Sequence, residues 1–81
     1  MDNLEKIIQI IRNISPMEQA EIHADTHLIE SGIIDSFDML SLVMDLESEF
    51  RAGIGLDEVL FENFETPAKI LELLVRKSEE A

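Results

Sequence analysis

Apolar residues recur every three or four positions in three stretches of this sequence, and nowhere do they alternate with polar ones over the length of a strand. That period confines the chain to helices that each bury one face. "NLEKIIQIIRNI" sets Leu4, Ile7, Ile8, Ile11 and Ile14 on one stripe behind Asp2 and Glu5, a capping-box-like start, and predicts a first helix over 3–14. "DSFDMLSLVMDLESEF" predicts a second, with Asp35 as N-cap and Asp38 in the first turn, where acids complement the helix dipole. "TPAKILELLVRK" predicts a third, with Thr66 as N-cap, Pro67 at the first helical position and Arg76 and Lys77 in the last turn. A short helix is expected around "LDEVLFENF", and residues 79–81 as a frayed tail. The expected fold class is all-α: a small bundle of three long helices plus one short helix, with a long loop between the first and second helices.

That loop, from Ser15 to Asp35, breaks the period with Pro16, Asp25, Thr26, Ser31 and Gly32. Leu28, Ile29, Ile33 and Ile34 are its candidates for docking on a core, and Met17 to His23 for a helical extension of the first helix. A loop of about 20 residues in so small a domain is more often functional or specially packed than idle.

The 81 residues contain no cysteine, so the fold holds by packing alone, without disulfide, thiolate metal site or cysteine nucleophile. A single domain over 1–81 in a reducing, cytoplasmic setting is expected. The opening residues lack a basic segment followed by a long apolar run, and no apolar run reaches membrane-spanning length. Six basic residues against 18 acids give a net charge of -12, which repels nucleic acid and anionic lipid and points to basic protein partners. No Lys or Arg lies between Asn13 and Phe50, so the negative field centres on the second helix and the loop before it.

The second helix carries two apolar faces. Met39, Leu42, Val43, Leu46 and Phe50 gather on one side, the expected core. Phe37, Leu40 and Met44 lie opposite, flanked by Asp38, Asp45 and Glu49. Either the long loop folds over this second stripe or it is an exposed docking surface, the reading favoured here because Met and Phe rimmed by acids suit an adaptable interface.

Ser36 follows the cap, where a phosphate ester would sit near free backbone N–H groups and the positive end of the dipole. Asp-Ser alone is a common helix start. As a nucleophilic catalyst Ser36 lacks support, since no Gly-x-Ser-x-Gly turn surrounds it and the histidines, His23 and His27, lie on the loop. Those two are four apart, but no metal site is expected from so common a pair.

"SGIIDSFDMLSLVMDLESEF", residues 31–50, resembles the prosthetic-group segment of acyl carrier proteins, a family of phosphopantetheine-binding carriers that includes peptidyl and D-alanine carriers. Length, acidity, helix order and the long first loop extend the resemblance over essentially the whole chain. It implies that Ser36 is the attachment site of 4'-phosphopantetheine, transferred from coenzyme A by a magnesium-using holo-carrier synthase (a phosphopantetheinyl transferase). The chain would then be a phosphoprotein and a monomeric, non-catalytic carrier, holding an acyl or aminoacyl group as a thioester. The resemblance further implies that Asp35 helps to bind the synthase. Phe37, Leu40 and Met44 match apolar docking positions, and Asp35, Asp38, Glu47 and Glu49 acidic ones, for loading and using enzymes with basic patches.

Carriers of fatty acid biosynthesis usually have Leu after the serine and glutamates where this chain has Ser41 and Ser48, so Phe37 and the two lost acids suggest a dedicated set of partners. Asp-Ser-Phe and "NFETP" also resemble D-alanine carriers of teichoic acid modification, although Asp38 and Phe64 depart from their usual glycine and tryptophan. A specialised acyl or aminoacyl carrier, in a specialised lipid or secondary-metabolite pathway, ranks first, a general fatty-acid carrier second and a D-alanine carrier third. An acidic helical adaptor without a prosthetic group is the alternative of another class. An apolar cleft between the second helix and "LDEVLFENF" is a candidate shelter for a carried chain.

Overall fold

The computed structural model describes residues 2–15 and 21–80. Three α-helices form: α1 (Asn3–Ile14), α2 (Ser36–Phe50) and α3 (Pro67–Glu80). Between α2 and α3 run two 3-10 turns, Leu56–Glu58 and Phe61–Asn63, and no strand occurs among the described residues. The expected all-α bundle is therefore present, with its short fourth helix replaced by these turns.

Each helix begins where its local chemistry dictates. Asp2 accepts a hydrogen bond from the Glu5 N–H at 2.8 Å, opening α1. α1 ends at Ser15, which is extended, as the residue before a proline prefers. At α3, Thr66 Oγ1 accepts from the Lys69 N–H at 3.2 Å and Pro67 fills the first helical position. α3 continues to Glu80, into the stretch expected to fray, because no glycine or proline follows Lys77 and glutamates tolerate a helix well; residue 81 lies outside those described. α2 ends on Arg51 in the left-handed conformation at φ 52°, with the Ala52 N–H bonded back to Glu47 O.

The segment "LDEVLFENF" does not close into one helix because the Glu58 carbonyl is taken twice by other donors. The Leu60 N–H and the Asn63 side-chain amide both reach it at 2.9 Å, which turns the chain before a helical ladder can propagate. The Glu58 carboxylate in turn accepts from the Gly55 N–H at 3.0 Å and from Lys77 Nζ at 2.7 Å, tying the segment to α3.

α1 packs against both α2 and α3. One buried cluster joins Ile7 and Ile11 of α1, Leu42, Val43 and Leu46 of α2, Ile70, Leu73 and Leu74 of α3, and Ile54 and Phe64 from the intervening segment. Each fully buried side chain of this size contributes about 1.5–3 kcal/mol relative to leaving it in water. Met39 and Phe50 are half-buried against the cluster's edge.

The long loop is specially packed. Ile22, Leu28, Ile33 and Ile34 are buried, and Ile29 is half-buried. Three long-range bonds fasten it, Ala68 N–H to Ala24 O and Leu28 N–H to Glu65 O, both at 2.9 Å, and Ser15 Oγ to Ile33 O at 2.6 Å, and Ile34 N–H to Leu28 O at 3.1 Å closes it on itself. The loop thereby joins the end of α1 and the start of α3 to the approach to α2. The expected helical extension over Met17 to His23 does not form at residues 21–23, where the Thr26 hydroxyl accepts from the His23 N–H at 2.8 Å and competes with a helix; its other residues lie outside those described.

Candidate functional site

The pole at which the loop meets the helices presents Ser36 as the exposed first residue of α2. Asp35 fixes that start. Its Oδ1 accepts from the Phe37 N–H at 3.0 Å and the Asp38 N–H at 2.9 Å, and Asp38 Oδ2 accepts from the Asp35 N–H at 3.3 Å, a complete capping box. Two of the backbone donors expected to be free for a phosphate are thus already engaged by Asp35. What remains at Ser36 is the dipole and access: a hydroxyl on a rigid helix start, open to another enzyme.

From that point an apolar stripe runs along α2 in solvent, with Phe37 87 %, Leu40 66 % and Met44 60 % exposed. The loop does not fold over them, so this second stripe is exposed. Asp45 and Glu49 are exposed beside it and Asp38 is half-buried in the cap. Glu47 is placed differently: half-buried, its Oε2 accepts from the Ile54 N–H at 3.0 Å and holds the turn after α2. α2 itself contains no basic residue.

Two features escaped the sequence. Leu56 is 92 % exposed, and Leu60 and Phe61 are also exposed, a second apolar group on the segment between α2 and α3. A helical reading of that segment hides them, because it assigns such residues to a buried face. The second is the contact of His27 with Glu65, 3.2 Å from its Nδ1 at the junction of the loop with α3, in addition to Glu30 at 3.4 Å on its own loop. His23 lies 3.6 Å from Glu21, and the stretch between the histidines is not helical, so no shared helix face brings them together.

An exposed serine behind an acidic cap thus opens an acidic helix whose apolar stripe is uncovered. Comparison with known proteins identifies the family. The family model described as phosphopantetheine attachment site matches residues 5–74. The lincomycin biosynthesis protein LmbN of Streptomyces lincolnensis is 33 % identical over 99 % of this chain, which spans only 29 % of that protein. The D-alanyl carrier protein of Lactococcus lactis subsp. cremoris strain MG1363 is 32 % identical over 94 % of this chain and 96 % of its own length. That of Streptococcus suis strain 98HAH33 is 32 % identical over 93 % and 94 %. The chain belongs to the phosphopantetheine attachment site family: it is a carrier, and its prosthetic group is covalently bound 4'-phosphopantetheine.

The residues present fit that group. A cysteine-free chain has no thiol of its own, and the arm supplies one on which a thioester forms. Carriers of this family are generally non-catalytic. No helix among the described residues is long and apolar enough to cross a membrane.

Proposed function

We propose that Ser36 is the attachment point and that residues 1–81 act as a single carrier domain in a specialised lipid or secondary-metabolite pathway. The observation that carries this is the position of Ser36, exposed at the start of α2 behind the Asp35 capping box. The competing serines are worse placed: Ser15 is buried, the Ser31 hydroxyl is exposed but donates to His27 O at 2.5 Å within the loop, Ser41 and Ser48 lie within α2, and Ser78 lies in α3. In the modification the Ser36 oxygen bonds to the pantetheine-bearing phosphorus of coenzyme A, adenosine 3',5'-bisphosphate departs, and the hydroxyl proton goes to a base on the transferase.

Phe37, Leu40 and Met44 then serve as the apolar contact with transferase, loading and using enzymes, and Asp35, Asp38 and Glu49 steer their basic patches. Glu47 adds charge to that field while fastening the following turn. The protein works as a cytoplasmic monomer. The lincomycin relative supports a secondary-metabolite setting, and the near full-length match to D-alanyl carriers supports an aminoacyl alternative. The decisive experiment is intact mass after incubation with coenzyme A, magnesium and a broad-specificity transferase. Wild type gains one phosphopantetheine and Ser36→Ala gains none; no gain in wild type, or a gain in the variant, overturns the assignment.

A further inference from the structure

We infer that Met44 is an oxidation site, at which a peroxide converts the thioether to a sulfoxide and so weakens docking on α2 reversibly, without unfolding the carrier. This rests on the reading of Phe37, Leu40 and Met44 as the docking stripe. The composition leaves few side chains for an oxidant to attack, because the 81 residues hold no Cys, Trp or Tyr, and four Met. Of these four, Met1 and Met17 lie outside the described residues, and Met39 is half-buried against the core. Met44 alone among the described methionines is exposed, and it stands in the stripe itself, one helical turn beyond Leu40 and two beyond Phe37. A thioether is oxidised only as fast as the reagent reaches it, so the sulfur most open to attack is also one that a partner would cover.

The step needs no group beyond the oxidant. A sulfur lone pair attacks one oxygen of hydrogen peroxide, and the S–O bond forms as the O–O bond breaks. The departing hydroxide takes the proton left on the sulfur-bound oxygen and leaves as water, so sulfur loses two electrons and the peroxide gains them. A soft apolar side chain thereby becomes a polar, chiral one. In the free carrier this changes little, because Met44 belongs neither to the buried cluster nor to the side chains packed against it. In a complex the sulfoxide oxygen would leave water for an apolar contact, and burying such a group without a hydrogen-bond partner weakens binding about tenfold or more. The contact lies about 12 Å along α2 from Ser36, at 1.5 Å per residue, so it bears on binding and not on the bond made at the serine. Methionine sulfoxide reductases, one for each epimer, return the thioether and make the change reversible.

The test is to treat the full unmodified chain with hydrogen peroxide, remove the reagent, locate the added oxygen by peptide mass, and measure kinetics with the broad-specificity transferase. Oxygen is expected at Met44 ahead of Met39. KM for the carrier then rises about tenfold with kcat unchanged, and the melting temperature stays within about 2 °C of the untreated protein. A mixture of the two sulfoxide reductases restores KM. Met44→Leu, which retains the other three methionines, keeps through the same treatment whatever KM it starts from. Oxidation of Met39 first, an unchanged KM once Met44 is oxidised, a fall in melting temperature that accompanies the rise in KM, or an equal rise in treated Met44→Leu would overturn the inference. Met44→Gln tells these failures from a failure of the docking reading. A raised KM in that variant keeps Met44 in the docking surface, whereas a KM equal to wild type removes it, and the inference falls with it.

Discussion

Replacing Asp35 separates its capping role from the docking role proposed for it. Asp35→Ala strips the acceptor from the Phe37 and Asp38 N–H groups, now bonded at 3.0 and 2.9 Å. Loss of such a cap costs about 0.5–2 kcal/mol. The lower half of that range applies, because Asp35 is exposed and water can reach the freed donors. A loss of about 1 kcal/mol lowers the melting temperature of a domain this size by about 4–8 °C. Asp35→Asn keeps a side-chain acceptor at the same place and removes only the charge. The favourable interaction of that charge with the dipole, about 0.3–1 kcal/mol, is offset by relief of repulsion from the Asp38 carboxylate, which lies within the same capping box. Calorimetric melts should therefore place Asp35→Asn within about 2 °C of wild type and Asp35→Ala clearly below both. Coincident melts for all three, or an equal fall in the two variants, would refute the capping argument. Transferase kinetics on the same proteins address docking: if the enzyme reads the charge, both variants are modified more slowly, whereas slowing in Asp35→Ala alone would assign the whole effect to the cap.

Three other perturbations follow from particular contacts. The hydrogen bond from Lys77, followed by that from the Gly55 N–H, holds the Glu58 carboxyl below its ordinary range. Because its folded value is depressed, this contribution to stability is complete above the unfolded value of about 4.3 and is lost as pH falls through the folded one. Melts from pH 6 to 3 should thus show the gap between wild type and Lys77→Gln narrowing toward acid, and a gap that widens would contradict this. Gly32 has φ +81°, and a methyl group on its Cα would meet nothing within 4 Å, so Gly32→Ala suffers only backbone strain; a loss of about 1–2 kcal/mol is expected by chemical denaturation, and a neutral result would place the residue outside the left-handed region. Finally, the acids that crowd residues 13–50 without a Lys or Arg among them repel one another, so sodium chloride or magnesium should raise the melting temperature, and insensitivity to both would contradict that repulsion.

Helix starts were legible because their causes are local. Asp35 with Asp38, and Thr66 with Pro67, meet their partners within a few residues, so the sequence places both starts to the residue. The stripe at Phe37, Leu40 and Met44 was legible for the same reason, since helical period alone puts these residues opposite Leu42, Val43 and Leu46. What the sequence hides depends on distant partners. Ile22 sits in an irregular stretch with no period to mark it, yet it is buried near backbone that Ala24 and Leu28 bond to Ala68 and Glu65 across the fold. Glu47 reads as one more acid on a solvated flank, and only the turn after Arg51 brings the Ile54 N–H to it. The segment between α2 and α3 fails to become a helix because Glu58 is claimed by Asn63 and Lys77, a competition that propensity does not record.

The exposed stripe and the charge explain each other. Three large apolar side chains held in water on one helix face are a liability, since burying any one of them is favourable by about 1.5–3 kcal/mol and a second copy of the chain offers the same face. Two copies, however, each bring a net charge of -12, and on each the acids lie along the very helix that carries the stripe. Self-association through that face therefore sets like charges against one another, while a partner with a basic patch meets attraction at long range and apolar contact at short range. The missing lysines and arginines of α2 act as a filter on partners. The same helix that starts at Ser36 thus brings to the proposed attachment point only surfaces of complementary charge, and keeps the uncovered apolar residues available to them.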